Sequence, residues 1–185
     1  MLNKTDTNTD NIKFSEKTLE RVQQLIKRYP EGKQKSALLP VLHIAQEEFG
    51  GWLSPEVMDY VAELLSLQSI EVYEVATFYT MYALKPTGKF VLEVCRTGPC
   101  CLLGAEKMIT YLEKKLEIKV GETTQDGLFT IKTVECLASC GSAPMMQIGE
   151  AYRENLTEEK MDLLLQQLRD LASAKSTGKM ELSQT

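Results

Sequence analysis

All five cysteines of this 185-residue chain fall between positions 95 and 140, in two tight groups. The first reads Cys95-Arg96-Thr97-Gly98-Pro99-Cys100-Cys101 and the second Cys136-Leu137-Ala138-Ser139-Cys140. Thirty-four residues separate Cys101 from Cys136, so only the fold brings the groups together. An odd, clustered set in a chain of this size fits metal binding in a reducing compartment better than a disulfide framework. Four soft thiolates at one point suit iron–sulfur or zinc. The outer spacings are C-x4-C and C-x3-C. Zinc ribbons and fingers most often place two residues inside each pair. The wider spacings leave each pair room to chelate one iron of a two-iron cluster. Spacing alone keeps both readings open.

The order of elements bears on how the groups meet. Phe90 to Val94 is β-rich and ends at Cys95, and a helix is predicted over 102–116, with Leu103, Met108, Ile109, Leu112 and Leu116 at helical spacing. A polar loop, 121–127, leads to a cleanly alternating strand, Phe129 to Val134, that stops just before Cys136. Short strands are predicted over 145–148 and 151–153, and Thr157 caps a last helix carrying Met161, Leu164, Leu165, Leu168 and Leu171. The order β-α-β then β-β-α places both cysteine groups directly after strands. Two strands of a βαβ unit run parallel, so their carboxyl ends share one edge of the sheet, where ligand sites form in open α/β sheets.

Upstream, the chain reads as short helices. Ser15 caps a helix to about Arg28, and Pro30 and Gly32 break the chain. A second helix spans 35–49, with Pro40 in its first turns, and Gly50-Gly51 ends it. Ser54-Pro55-Glu56 starts a third, and Ser69 is expected to cap a fourth. Residues 1–14 and 173–185 are polar and expected to be disordered and flexible. The reading is thus a helical segment over 15–84, then an α/β domain over 88–172. A net charge of −5 gives no footprint for nucleic acid. No apolar run approaches the ~20 residues a membrane span needs. No signal or transit peptide opens the chain, so a cytoplasmic location is expected.

Several motifs together carry a resemblance. They are Val94-Cys95-x4-Cys100-x3-Gly104, Gly121-Glu122-Thr123-Thr124-x-Asp126-Gly127-x-Phe129 and Glu135-Cys136-Leu137-x-Ser139-Cys140-x3-Pro144. Upstream stand Phe78-Tyr79-x-Met81-Tyr82 and Leu42-His43-x-Ala45-Gln46. Over about residues 15–172 the chain resembles the ferredoxin-like E-subunit family of NADH:quinone oxidoreductase. The resemblance implies a thioredoxin-like [2Fe-2S] domain preceded by a small N-terminal helical bundle. It implies one [2Fe-2S] cluster, with Cys95 and Cys100 on one iron and Cys136 and Cys140 on the other. It also implies a partner, an iron–sulfur flavoprotein that binds FMN and NADH, within the peripheral arm of complex I. The chain would lie peripheral to the inner face of the bacterial plasma membrane through that complex, without inserting. Relatives serve NAD-linked formate dehydrogenases and hydrogenases, so the host complex stays open. Cys101 has no counterpart in the family's ligand set, and the spacing to Gly104 favours Cys100.

Other residues set expectations of their own. Thr97, Gly98, Ser139 and Gly141 are placed to aim hydrogen bonds at the sulfurs, with Gly98 allowing close backbone approach. Arg96 would raise the cluster's potential if it pointed inward, and is otherwise a solvated charge. His43, the only histidine, reads as a packed helix residue. Phe78, Tyr79, Met81 and Tyr82 are either core or a flat surface for the flavoprotein. Pro144 precedes a strand and is a candidate cis-proline. No G-x-G-x-x-G or P-loop is present, so FMN and NADH belong to the partner. No catalytic base, nucleophile or carboxylate pair stands out. The chain therefore reads as an electron carrier without a substrate site of its own. A non-redox, zinc-stabilised interaction module is the alternative.

Overall fold

Ser15 opens the first helix, α1 (Glu16–Ile26), by accepting a hydrogen bond from the Thr18 N–H. In the computed structural model, which describes residues 12–174, a 3₁₀ turn at Gln34–Ala37 leads into α2 (Leu38–Glu48). Sequence periodicity merges that turn with the helix. Pro40 separates them, because it sits in the first turn of α2, where its missing N–H costs nothing. Gly50 and Gly51, at φ of 85° and 86°, end the helix in the left-handed region. Ser54 caps α3 (Pro55–Leu64) by accepting from the Val57 N–H, a contact worth about 1 kcal/mol. The cap of α4 (Ser69–Phe78) is Gln68 rather than Ser69: the Glu71 carboxylate reaches back to the Gln68 N–H at 3.1 Å.

The chain divides after Pro86 into two units. In the first, Val22, Leu38, Val41, Leu42, Ala45, Leu53, Val57, Val61 and Val72 are buried together. The Tyr82 ring is buried with them and donates to the Leu39 carbonyl at 2.9 Å, whereas Phe78, Tyr79 and Met81 are exposed. The aromatic run predicted as either core or surface is therefore both. The His43 ring packs 5.1 Å from that of Tyr82. Gln46 ties residues 81–83 to α2, its amide donating to the Met81 carbonyl and accepting from the Ala83 N–H. Of the stretch expected to be disordered, residues 1–11 lie outside the described residues. Phe14 is buried between Phe49 and Tyr60, its ring centroid 5.4 Å from one and 5.3 Å from the other. Aromatic burial outweighs the polar composition around it.

The second unit is a mixed four-stranded sheet in the order β2-β1-β3-β4. Strands β1 (Phe90–Cys95) and β2 (Phe129–Val134) run parallel, in register from Phe90 opposite Phe129 to Cys95 opposite Val134. Strands β3 (Met146–Ile148) and β4 (Ala151–Arg153) add antiparallel neighbours. One face, carrying Leu92, Val94, Phe129, Ile131 and Met146, packs on Ile109, Leu112 and Leu116 of α6 (Ala105–Leu116). It also packs on Met161, Leu164, Leu165 and Leu168 of α7 (Glu158–Ala174). The two helices lie side by side, the Tyr111 hydroxyl donating to Asp162 at 2.6 Å and Lys115 2.9 Å from the same carboxylate. On the other face Glu93 and Lys132, cross-strand partners, are 3.2 Å apart. Helix α7 runs through Ser173 to Ala174, into the segment expected to be flexible, and the rest of that segment lies outside the described residues. No helix among the described residues is long and apolar enough to cross a membrane.

The helix predicted over 102–116 is two helices. The short α5 (Gly98–Leu102) begins earlier, because Pro99 in its first turn is already set for helical φ. Gly104, at φ 102°, then interrupts the helix before α6. Cys100 and Cys101 thus stand on a helical turn, not on a loop.

Gly88 enters the sheet where no side chain fits. A Cβ there would lie 2.8 Å from the Phe129 backbone N and C and 2.9 Å from the Leu128 carbonyl carbon. The expected result for Gly88→Ala is a loss of about 1–3 kcal/mol, as for overpacked cores, measured by urea unfolding. Unchanged stability would contradict this packing.

Candidate metal centre

The register of β1 and β2 decides where the cysteines go. Cys95 ends β1 opposite Val134, and Cys136 follows β2 by two residues. Both cysteine groups therefore leave the sheet at one edge. From Cys95 the chain turns through Arg96, whose N–H donates to the Val134 carbonyl at 2.9 Å, into α5. Successive residues on a helix point about 100° apart, and here the difference separates the vicinal cysteines. Cys100 is 2% exposed and faces Cys95, itself 2% exposed, whereas Cys101 is exposed. The Cys101 sulfur lies 4.0 Å from Glu106 Oε1.

Burial of two thiols costs free energy unless donors meet them. Burial pushes the Cys95 thiol up, but the Thr97 hydroxyl, the Leu137 N–H and the Cys100 thiol more than offset it, and its pKa lies below the ordinary value. The Thr97 Oγ1 is 3.4 Å from the Cys95 sulfur. Cys100 goes the other way. Burial and its hydrogen bond to Cys95 push it up to about 11, against the Met145 backbone N–H, and Cys140 adds to the rise. Of the two buried thiols, Cys95 is thus the more acidic. Leu137 and Met145 flank the second cysteine group, so backbone from that side already touches the sulfurs of the first.

The second group is a loop with little internal structure. Ala138 takes φ 60°, which turns its N–H back onto the Cys136 sulfur at 3.3 Å. A 3₁₀ turn, Cys140–Ser142, follows, and then a cis bond before Pro144. Cys136 and Cys140 are exposed. Among the described residues no three His, Cys, Asp or Glu side chains gather as donors to a single ion. A two-iron core asks for only two protein donors per iron, and two sulfurs on each side of one edge meet that requirement. The donor chemistry fits, since all four are thiols and the sulfurs of Cys95, Cys100 and Cys136 meet hydrogen-bond partners.

Several expected partners of the sulfurs are engaged elsewhere. Arg96 pairs with Glu106 at 2.5 Å, on the exposed side with Cys101. Ser139 bonds Glu154 and Ser142 instead of a sulfur. A Cβ at Gly98 or Gly141 would meet no protein atom, so packing within the chain does not demand glycine at either. Thr97 reaches the Cys95 sulfur as expected, whereas the amides of Leu137, Ala138 and Met145 carry no side-chain signature in the sequence. Tyr152 of β4 and Glu154 just after it, which bond this loop, are twelve or more residues away in the chain.

Known proteins resemble this chain in sequence and in fold. The thioredoxin-like [2Fe-2S] ferredoxin family pattern matches residues 22–169. The E subunit of NADH-quinone oxidoreductase from Rickettsia conorii is 43% identical over 165 residues, 89% of this chain and 99% of its own. The E 2 subunit of the Rhizobium meliloti oxidoreductase is 44% identical over 150 residues, 81% of this chain and 88% of its own. The fold is similar to part of an NAD+-reducing [NiFe]-hydrogenase, with a TM-score of 0.63 at 19% identity over 72% of this chain. The chain spans 23% of that hydrogenase chain.

Accessibility separates the thiols. In the metal-free chain, iodoacetamide should modify Cys101, Cys136 and Cys140 well before Cys95 and Cys100, which should react only on unfolding. Peptide mass spectrometry reads the order. Early labelling of Cys100 in place of Cys101 would contradict the orientation of α5.

Proposed function

Because the chain belongs to the thioredoxin-like [2Fe-2S] ferredoxin family, with close relatives among the E subunits of NADH-quinone oxidoreductase, we propose that it is the electron-transfer subunit of an NADH dehydrogenase module. In this reading Cys95 and Cys100 hold one iron, and Cys136 and Cys140 the other. The observation that carries it is the parallel, in-register pairing of β1 with β2, which brings both cysteine groups to one edge of the sheet. The partner is a flavoprotein carrying FMN, the NADH site and its own iron–sulfur cluster. The exposed Phe78, Tyr79 and Met81 supply apolar surface for it. The pair sits in the peripheral arm of the complex, on the inner face of the plasma membrane. Identity above 40% to E subunits favours this host over a hydrogenase, whose likeness is one of fold. The family also favours iron over a structural zinc.

When bound, a four-thiolate [2Fe-2S] cluster supplies one-electron storage, near about −400 mV in plant-type ferredoxins. The chain's own residues prepare the site for it. Cys95 and Cys100 would each be deprotonated on loading, as any thiol ligand must be. The amides of Leu137, Ala138 and Met145 and the Thr97 hydroxyl hold their dipoles toward sulfur, which stabilises added negative charge. Burial of the first pair excludes water from one side. Arg96 pairs with Glu106 on the outer side.

Two serine variants test the assignment. The isolated Cys100→Ser chain should lose the visible spectrum of the cluster and its iron. Cys101→Ser should keep both and, assembled with the flavoprotein, should be reduced by NADH as fully as wild type. The reverse pattern would move the ligand to Cys101. A wild-type complex whose cluster NADH leaves oxidised would overturn the function.

A further inference from the structure

The Cys136–Cys140 loop is held from outside. Its internal bonds are few: the Ala138 N–H to the Cys136 sulfur, and the Ser142 N–H and hydroxyl to the Ser139 carbonyl at 3.2 and 3.1 Å. The struts come from β4 and the turn after it. The Tyr152 hydroxyl donates to the Leu137 carbonyl at 2.8 Å. The Asn155 N–H donates to the Ser142 carbonyl at 2.7 Å and the Leu156 N–H to the Pro144 carbonyl at 2.9 Å. Leu156 is buried, and Thr157 caps α7 through the Lys160 N–H, so this turn is anchored. Beside these struts stands a second side chain. Glu154 Oε1 accepts from the hydroxyls of both Ser139 and Ser142, the latter at 2.6 Å. The two serine oxygens are themselves 2.7 Å apart.

An ionised carboxylate can accept from both serine hydroxyls because it brings lone pairs and no proton of its own. Ser139 directly precedes Cys140. Fixing its side chain therefore restrains the backbone that carries Cys140. Glu154 also brings the only carboxylate that bonds this loop among the described residues.

We propose that Glu154 is a positioning residue for the cluster: through Ser139 and Ser142 it holds the Cys136–Cys140 loop in its ligating shape, and its charge sets the potential of the centre. The inference rests on the ligand assignment proposed above. A positioning partner of this kind differs from a ligand in what its loss does. The metal still binds, but it is held less well and its electronic surroundings change.

The test uses the full chain loaded with its cluster. For Glu154→Ala, iron loss to a chelator is expected to be roughly tenfold faster or more, with a broadened EPR signal in the reduced state. Glu154→Gln keeps a carbonyl oxygen that accepts both hydroxyls. It should therefore retain iron and the wild-type EPR line shape, while its reduction potential moves positive through loss of the charge. The Ser139→Ala/Ser142→Ala double variant keeps the carboxylate and removes its partners, and should shed iron as Glu154→Ala does. It carries the retention arm should Glu154→Ala fail to fold. Wild-type iron retention in Glu154→Ala or in the serine double variant, or a wild-type potential in Glu154→Gln, would overturn the inference while leaving the cluster in place. A wild-type chain that takes up no cluster would overturn the ligand assignment first, and this inference with it.

Discussion

The parallel, in-register pairing of β1 with β2 is what the site depends on. A pair of strands offset by even a few residues would carry Cys95 and Cys136 to different heights along the sheet. Register from Phe90–Phe129 to Cys95–Val134 instead brings both strands to their ends together. Apolar burial on one face enforces it. Leu92 and Ile131 are paired and fully buried under α6 and α7, and a slip of one residue would turn that apolar set to the opposite face. The core of this unit thus positions the cysteines before any metal is considered.

At the sheet edge the physical problem changes from packing to charge. Two sulfurs are removed from water, and the fold answers with amides and a hydroxyl instead of cations. Arg96, the nearest candidate cation in sequence, is bound to Glu106 on the outer side. Oriented amides are fixed dipoles that need no counter-ion and do not themselves titrate. They come from Leu137 and Met145 on the far group, so the charge on one pair is stabilised by the backbone of the other. The two cysteine groups are in this sense a single structure, although a helix, a loop and a strand separate them in the chain.

Much of the scaffold was legible in the sequence, for local reasons. Ser15 and Ser54 announce helices because their capping contacts lie three residues away. The alternation from Phe129 to Val134 reports a strand half-covered by helices, and β4 falls where turn residues bracket it. The meeting of the cysteine groups follows from strand order alone. What the sequence left hidden depends on distance or on backbone. Gly104 divides a continuous apolar period because its φ of 102° cannot belong to a helix. Phe14 is buried by partners 35 and more positions away. The amides at sulfur have no residue-type signal, and Ser139 reads as a ligand-side donor until Glu154 is seen to take it.

The measurement that reaches the account most directly is anomalous diffraction at the iron edge from crystals of the cluster-loaded chain. The expected map has two adjacent iron peaks at the edge where β1 and β2 end, one within bonding distance of Cys95 and Cys100 and the other of Cys136 and Cys140. A single peak, iron bonded to Cys101, or signal at the zinc edge in its place would contradict it.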